Sequence, residues 1–426
     1  MEQKTYSTLC ETVYRHTLPN GLRIVVLPKP GFTKKLAYFV TDYGAIHTAF
    51  TCDGVEYRTP DGVAHYLEHK LFDMPGGKDV TAQFAALGAS PNAFTGYDMT
   101  AYYFSCTEHF PQCLRLLLEF VSTPYFTEES VQKERGIIGQ EIGMNEDNPD
   151  SRIFEDLMEA MYENHPIRVP ILGSRESIAR ITPEILYLCH KAFYRPGNML
   201  LCVVGDVDPA QVCDIARQVL PEEDPVTVTR PEGWAEERNP RESSTQRQME
   251  VAMPMFQLGF KSRCPEKGEA AVRQETVGDL AAEALFGESS ALYLRLYEAG
   301  LIDGSFGGGY ETVDGMALLT ASGDSEDPEA VRAAILQEAE RLMGQGISDE
   351  DFLRLKRSAL GRRIRDLDSF DALCFRTCAY TLSDFDYFCL PEVYRAVEKE
   401  EILEFLRQTV KADLCCMSVI RPLEEE

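Results

Sequence analysis

The chain has 426 residues, of which 44% are apolar and 10% aromatic, a composition typical of a folded protein rather than a disordered one. This length favours two or more domains over a single core. The formal net charge of −27 would repel phosphate backbones, so we expect no nucleic-acid partner. The same charge would attract basic peptides, although it would also serve simply to keep the protein in solution.

Signals for export and for membrane insertion are absent from the sequence. Residues 1–16 contain neither the apolar core of a signal peptide nor an Arg-rich transit sequence. No stretch approaches about 18 consecutive apolar residues, the length that a membrane-spanning helix needs. The 13 cysteines form no C-x-x-C pair, a pattern typical of free thiols in a reducing compartment. We therefore predict a cytoplasmic protein with no membrane association.

In chain order, the first half mixes strand-like segments with amphipathic helices. Predicted strands show alternating or continuous apolar character and lie at 21–28, 99–106 and 199–209. Predicted helices show a period of about 3.6 residues; one begins near Asp61, a good N-cap, and others cover 113–121 and 128–147. Strands that pair locally and helices in groups predict an α+β fold, in which a largely antiparallel β-sheet is backed by helices.

A polar, proline-bearing stretch at 221–248 has no apolar periodicity and is predicted to be a linker. It divides the chain into an N-terminal domain, 1–220, and a C-terminal domain, 249–426. The two halves share an order of segments: HYLEHKLF (65–72) corresponds to DLAAEALF (279–286), and each half closes with an apolar strand. This repeated order predicts two homologous domains that arose by duplication.

His65, Glu68 and His69 form an H-x-x-E-H motif on the helix predicted near Asp61. The four-residue spacing places both imidazoles on one helical face, where they can share a metal ion. Glu68 borders that face and can take a proton from a water molecule at the metal without being a ligand. The alternative is a solvated helix face with two surface histidines. Chance produces this motif in roughly one such chain in a hundred, which favours a catalytic zinc site.

A catalytic zinc ion needs a third protein ligand and one open position. Glu134 and Glu141 are the candidates, because they lie two helical turns apart on the helix predicted at 128–147, near its apolar side. The pattern alone does not choose between them. Both could instead pair with neighbouring basic residues on a charged surface.

The second half provides an internal comparison with this site. Aligned through the shared Leu-Phe, Asp279 and Glu283 stand in place of the two histidines. Aligned through the isoleucines of QEI (140–142) and its counterpart RRI, Lys356 and Arg363 stand in place of the two candidate acids. All 7 histidines lie at or before position 190. We therefore predict one zinc ion per chain, held by the N-terminal domain.

At these residues the chain resembles the M16 (pitrilysin-like) metallopeptidases, in the short form with two homologous domains that includes mitochondrial processing peptidase subunits and bacterial relatives. The resemblance spans essentially the whole length. The segments that carry it are NGLRIVV (20–26), GVAHYLEHKLFD (62–73), GASPNAFTGYDMTAYYF (88–104), PYFTEESVQKERGIIGQEI (124–142), HPIRVPILGSRESIARIT (165–182) and FYRPGNMLLCVVGD (193–206).

The resemblance implies a role for each candidate residue. The implied zinc ligands are His65, His69 and Glu141. Glu68 would be the catalytic base, and Glu134 a second acid that supports the metal histidines.

The resemblance also implies a substrate-binding strand. Asn92, Ala93 and Phe94 match an edge strand on which family substrates add as an extra β-strand. On the pattern alone, Asn92 would be an ordinary turn residue after a proline.

The chain departs from the family at an Arg/Tyr pair, seven residues apart, that binds substrate backbone and the developing oxyanion. With a one-residue gap, Tyr297 falls at the arginine position and Asp303 at the tyrosine position; the nearby Arg295 has Ile302 seven residues on. Oxyanion donors are worth about 10²–10³ in rate. The resemblance therefore implies a second M16 subunit that supplies the pair; we predict a heterodimer, with a homodimer as the alternative.

We therefore predict a zinc-dependent endopeptidase that cleaves unfolded peptides in a clamshell chamber, in peptide processing, maturation or turnover. The alternative is a non-catalytic core subunit of an M16-type complex. Such subunits usually lose the metal residues, which are complete in this sequence.

Overall fold

A computed structural model describes residues 1–76, 78–220, 226–231, 233–265 and 267–424. The chain forms two compact units. Unit 1 comprises Met1–Ile142, Pro170–Glu232 and Ile364–Phe388. Unit 2 comprises Gly143–Val169, Gly233–Arg363 and Cys389–Glu426. Each unit is thus built mainly from one half of the sequence, with a shorter segment contributed by the other half.

Strands and helices both occur along the whole described chain, often in runs of one type. In the described residues the strands are β1 (Glu2–Tyr6), β2 (Glu11–Thr17), β3 (Arg23–Pro28), β4 (Lys35–Thr41), β5 (Ala49–Cys52), β6 (Val55–Arg58), β7 (Asp73–Met74), β8 (Lys78–Asp79), β9 (Ser90–Thr95), β10 (Thr100–Cys106), β11 (Met199–Gly205), β12 (Val228–Thr229), β13 (Ser244–Met249), β14 (Met255–Lys261), β15 (Gly307–Val313), β16 (Met316–Asp324) and β17 (Cys415–Pro422).

The α-helices range from one turn to about five turns. In the same residues they are α1 (Val63–Leu71), α2 (Val80–Ala86), α3 (Phe110–Ser122), α4 (Glu128–Glu146), α5 (Pro149–Met161), α6 (Arg175–Ile178), α7 (Pro183–Phe193), α8 (Pro209–Val219), α9 (Glu269–Phe286), α10 (Ala291–Glu298), α11 (Pro328–Gln345), α12 (Asp349–Arg365), α13 (Phe370–Leu382), α14 (Leu390–Ala396) and α15 (Lys399–Thr409).

Unit 1 is built on a seven-stranded sheet with the order β1-β2-β3-β11-β4-β10-β9. Neighbouring strands are antiparallel except for β3 and β11, which are parallel. Every residue of β11 is buried, as expected for a strand with packed layers on both faces of its sheet. The helix α3 packs against β4 and β10, and α13, contributed by the second half of the sequence, packs against β4 and β11.

Unit 2 is built on a five-stranded sheet with the order β13-β17-β14-β16-β15. Its first pair is parallel and its other pairs are antiparallel. The same order and the same strand directions occur in unit 1 along β3-β11-β4-β10-β9. The predicted fold class, two homologous α+β domains with largely antiparallel sheets, is confirmed.

The linker predicted at 221–248 is only partly described, because residues 221–225 and 232 lie outside the described residues. Within it, β12 pairs with β5 in unit 1, and β13 forms the edge of the unit 2 sheet. Across the described part of the chain, none of the helices combines the length and the apolar character needed to cross a bilayer. All 13 cysteines lie in the described part of the chain, and none of them forms a disulfide.

Candidate metal centre

The helix α1 carries the H-x-x-E-H motif, and two glycines fix where it begins. Its N-cap is Gly62, at φ 85°, which has no side chain to cap the first turn. A Cβ on Gly62 would lie 2.5 Å from the carbonyl oxygen of Leu172, and a Cβ on Gly173 would lie 2.6 Å from that of Asp61. Only glycine allows backbones to approach this closely. The predicted N-cap at Asp61 is therefore wrong, and the helix begins at Val63 because of this glycine contact.

The helix α1 is buried on nearly every face. Eight of its nine residues are buried, and they include the polar His65, Glu68 and Lys70. Buried polar groups need partners, because an unpaired one costs about 1–3 kcal/mol. The partners of these side chains define the site.

His65, His69 and Glu141 present one donor atom each to a common point, and these atoms lie within 4.8 Å of one another. Nε2 of His65 lies 3.6 Å from Oε1 of Glu141, and Nε2 of His69 lies 3.6 Å from Oε2 of the same carboxylate. Tetrahedral ligands bound to zinc at about 2.0–2.2 Å are separated by roughly 3.3–3.6 Å. The donor types and their spacing therefore fit a zinc ion.

The two histidines differ in their electrostatic surroundings. Burial, assisted by the neighbouring His69, lowers the pKa of His65 to about 3, so His65 is neutral and its lone pair is available. Its Nδ1 atom is buried and has no hydrogen-bond partner in the described residues. Burial also opposes protonation of His69, but its hydrogen bond to Glu134 and the nearby carboxylates of Glu68 and Glu141 outweigh that effect and raise its pKa.

Glu134 contacts His69 on the side away from Glu141. Its Oε1 atom lies 3.0 Å from Nδ1 of His69. An ionised carboxylate only accepts hydrogen bonds, so Nδ1 carries the proton and Nε2 is left free as a ligand. Burial opposes ionisation of Glu134, but the bond from His69 and the charges of His69, Lys70 and Lys133 lower its pKa. The geometry thus places Glu141 in the donor group and Glu134 behind it.

Glu68 lies beside the donor group and is held by a residue that the sequence did not reveal. The hydroxyl of Thr95 donates to Oε2 of Glu68 at 2.6 Å. Burial raises the pKa of Glu68, while the Thr95 bond and the charge of His69 oppose the rise. A carboxyl group with a raised pKa suits proton transfer at neutral pH.

Lys70 is the second residue that the sequence analysis missed. It is completely buried, and its ammonium group donates to the carboxylate of Asp73 and, at 3.3 Å, to the carbonyl oxygen of Ser130. Oε2 of Glu134 lies 4.0 Å from Nζ of Lys70. The sequence does contain a signal that could have marked it. Lys70 follows His69 directly and lies between the apolar residues Leu67 and Leu71 of the same helix.

Asn92, Ala93 and Phe94 lie on β9, the edge strand of the unit 1 sheet beside β10. The side chain of Asn92 accepts a hydrogen bond from the backbone N–H of Ala93 at 2.9 Å. Phe94 packs against Phe375 of α13, with ring centroids 5.9 Å apart. Thr95, the residue that holds Glu68, ends the same strand. The same strand therefore carries both the three edge residues and the threonine that bonds to Glu68.

The residues at the family's Arg/Tyr positions have local partners in unit 2. Tyr297 is 54% exposed and stacks on Tyr293, with ring centroids 5.8 Å apart. Arg295 donates to Glu338 at 3.1 Å. The carboxylate of Asp303 accepts from the backbone and the hydroxyl of the residue two positions on.

Comparison with known proteins gives consistent matches. Residues 54–175 match a family model described as insulinase (peptidase family M16), and residues 180–359 match one described as the peptidase M16 inactive domain. YmfH of Bacillus subtilis, described as an uncharacterized zinc protease, is 38% identical over 424 residues, 98% of each chain. YmxG of the same organism, described likewise, is 28% identical over 211 residues, about half of each chain (48% and 49%).

A solved structure also covers nearly the whole chain. A protein from Alicyclobacillus acidocaldarius, described as an M16-like peptidase, superposes with a TM-score of 0.92 at 33% sequence identity. The match covers 97% of this chain and 99% of the other.

Proposed function

Because the chain belongs to peptidase family M16, we propose that it is a zinc-dependent endopeptidase whose metal is held by His65, His69 and Glu141. The proposal is supported chiefly by the convergence of two imidazoles and one carboxylate within 4.8 Å, with the buried carboxylate of Glu68 beside them. One zinc ion bound there would polarise the scissile carbonyl and lower the pKa of a water molecule.

Glu68 acts as the general base in this proposal. It accepts a proton from the attacking water and passes that proton to the amine nitrogen as the peptide C–N bond breaks. Thr95 binds Oε2 of Glu68 and so orients the carboxylate, leaving its other oxygen free for the proton. Glu134 holds His69 in the tautomer that a metal ligand requires.

The substrate binds in this proposal as an extra strand along β9. Asn92, Ala93 and Phe94 lie on that edge, and backbone pairing there would select extended, unfolded peptides with little demand on sequence. The net charge of −27 favours basic segments among them. Peptide processing or turnover inside a closed chamber is the role that such recognition suits.

A second M16 subunit completes the proposed site, in a heterodimer. Tyr297 and Asp303 stand where the family pattern has arginine and tyrosine, and neither can replace a guanidinium group. The partner would supply the Arg/Tyr pair that binds the developing oxyanion. Equal cleavage rates for the purified chain alone and for its mixture with such a subunit would rule out this part of the proposal.

The central test combines metal analysis with cleavage of a mixed peptide library. The wild-type chain should bind one zinc ion, His69→Ala should lose it, and Glu68→Gln should keep it while cleavage falls by at least about 10². Glu283→Gln, at the position of α9 in unit 2 that corresponds to His69, is a control for loss of a helical carboxylate that should change neither property. Full cleavage by Glu68→Gln would exclude the mechanism.

The second candidate is a non-catalytic core subunit. It is favoured by the match of residues 180–359 to the peptidase M16 inactive domain and by the absence of the Arg/Tyr pair from the sequence. A wild-type chain that binds no zinc and cleaves no peptide, alone or with a second subunit, would support this candidate instead.

A further inference from the structure

Lys70 is a charged side chain placed entirely inside unit 1. Its residue exposure is 0%, and lysine is almost never fully buried unless it is paired. Three oxygen atoms surround its ammonium group, from the carboxylates of Asp73 and Glu134 and the carbonyl of Ser130. The burial of this charge therefore depends on two acids, one of which belongs to the metal site.

The two acids differ in how strongly their ionised form depends on the lysine. The side chain of Asp73 is 49% exposed, so water can solvate it without Lys70. The side chain of Glu134 is only 15% exposed, and an ionised carboxylate with little water needs a nearby cation or donor. Removing Lys70 should therefore disturb Glu134 much more than Asp73.

Glu134 connects the lysine to a proposed metal ligand. Its Oε2 atom lies 4.0 Å from Nζ of Lys70, and its Oε1 atom lies 3.0 Å from Nδ1 of His69. At 4.0 Å the contact with the lysine is an ion pair rather than a hydrogen bond, and its attraction favours the orientation in which Oε2 of Glu134 points toward Lys70. The lysine, the glutamate and the histidine thus form one connected chain that ends at the donor atom Nε2.

We propose that Lys70 is a positioning residue, whose ammonium group fixes Glu134 so that Glu134 orients His69 toward the metal ion. This inference rests on the proposed function of the site. The equivalent helix in unit 2 supports the pairing of the lysine with the metal set: Ala284 stands at the position of Lys70, on a helix that also lacks the histidines.

The test measures zinc affinity by competition with a chelator, using metal-free protein with zinc as the only ligand. Glu134→Gln should weaken binding about 10- to 100-fold, as loss of a group that supports a metal histidine commonly does. Lys70→Met should weaken it about 10-fold. Asp73→Asn, which removes the other acid of the same lysine, should change affinity by less than about twofold, since its partner remains next to Glu134.

A double variant separates positioning from a general structural effect. If Lys70 acts through Glu134, adding Lys70→Met to Glu134→Gln should weaken binding no further, because groups that act as a unit are not additive. A double variant that lost zinc affinity by the product of the losses in the two single variants would overturn the inference. So would tighter zinc binding by Lys70→Met, which would mean that repulsion between ammonium and metal dominates.

The remaining outcomes are also distinct. Circular dichroism of metal-free Lys70→Met should match that of the wild type; if this variant does not fold, Lys70→Gln, which keeps hydrogen-bond donors without the charge, takes its place with the same expectation. A wild-type chain that binds no zinc refutes the proposed function itself. A wild-type chain that binds zinc, with an unchanged affinity in the Lys70 variant, refutes only the role of Lys70.

Discussion

The candidate metal centre of unit 1 and the equivalent position of unit 2 differ in how charge is arranged between their two helices. In unit 2, Asp279 and Glu283 of α9 occupy the positions of the two histidines. There Asp279 pairs with Arg363 of α12 at 2.5 Å, and Glu283 pairs with Arg362 at 2.8 Å. The residue that aligns with Glu141 is thus a cation that contacts the residue aligned with His65.

Unit 1 has two histidines and a glutamate where unit 2 has two acids and an arginine. In unit 2 the protein itself supplies the positive charges at the crossing of the two helices, as arginine side chains. In unit 1 the carboxylate of Glu141 lies 3.6 Å from the imidazole nitrogens of both His65 and His69, and the carboxylate of Glu68 is close enough to interact electrostatically with His69 and Glu141. A divalent cation is the species that would balance this set.

The largest effect should come from grafting the unit 2 residues into unit 1. The triple variant His65→Asp, His69→Glu, Glu141→Arg replaces the donor set by the acid–arginine set of α9 and α12. Both imidazole ligands are lost and a fixed cation takes the place of the third ligand, so zinc affinity should fall by at least about 10³-fold. Metal analysis after dialysis measures this loss.

The graft also tests whether the two positions are equivalent as frameworks. Metal-free triple variant should fold, because the arginine introduced at position 141 can pair with the aspartate introduced at position 65, as Arg363 pairs with Asp279 in unit 2. A variant that still holds one zinc ion per chain would show that the ligands lie elsewhere.

The sequence could predict those parts of this comparison that depend on local patterns. Helical spacing placed His65, Glu68 and His69 on one face, and the order of segments revealed the duplication that the matching strand orders confirm. Both features can be recognised without knowledge of distant contacts, because the first depends on neighbours within a few residues and the second on repetition of a pattern.

The sequence could not predict the contacts that depend on tertiary packing. Glu134 and Glu141 share a helical face, and only the packing of α4 on α1 decides which of them meets both histidines. Thr95 and Lys70 contact partners that are distant in sequence, Glu68 and Glu134 respectively. The placement of α13 on the unit 1 sheet had no local signal either, because an amphipathic helix does not encode which sheet it covers.

The next effect concerns the stability that zinc gives to unit 1. A ligand that binds only the folded state at about a thousandfold excess over its Kd stabilises by about 4 kcal/mol. Removing zinc with a chelator should therefore accelerate amide hydrogen exchange in α1, while exchange in α9 should change much less. Hydrogen exchange read by mass spectrometry compares the two helices in one sample, and equal changes in both would contradict the assignment of the metal to unit 1.

The smallest effect should come from breaking the ion pair of unit 2. Asp279 and Arg363 are each 21% exposed, and the hydroxyl of Tyr394 donates to the same carboxylate at 3.1 Å. Arg363→Met leaves a mostly buried acid with one neutral donor, which should cost about 1–3 kcal/mol. Urea unfolding, monitored by hydrogen exchange in α9, measures this loss of stability. Zinc binding in unit 1 should be unchanged.

The adjacent arginine provides the matched control for that loss. Arg362 bonds to Glu283 at 2.8 Å, and its side chain is 45% exposed while that of Arg363 is 21% exposed, so water screens this pair more than the Asp279–Arg363 pair although the two acids are similarly buried. Arg362→Met should therefore cost no more than about 0.5 kcal/mol. If the two variants lost the same stability, burial would not be what distinguishes the pairs, and Arg363 could not be regarded as the internal replacement for a metal ion.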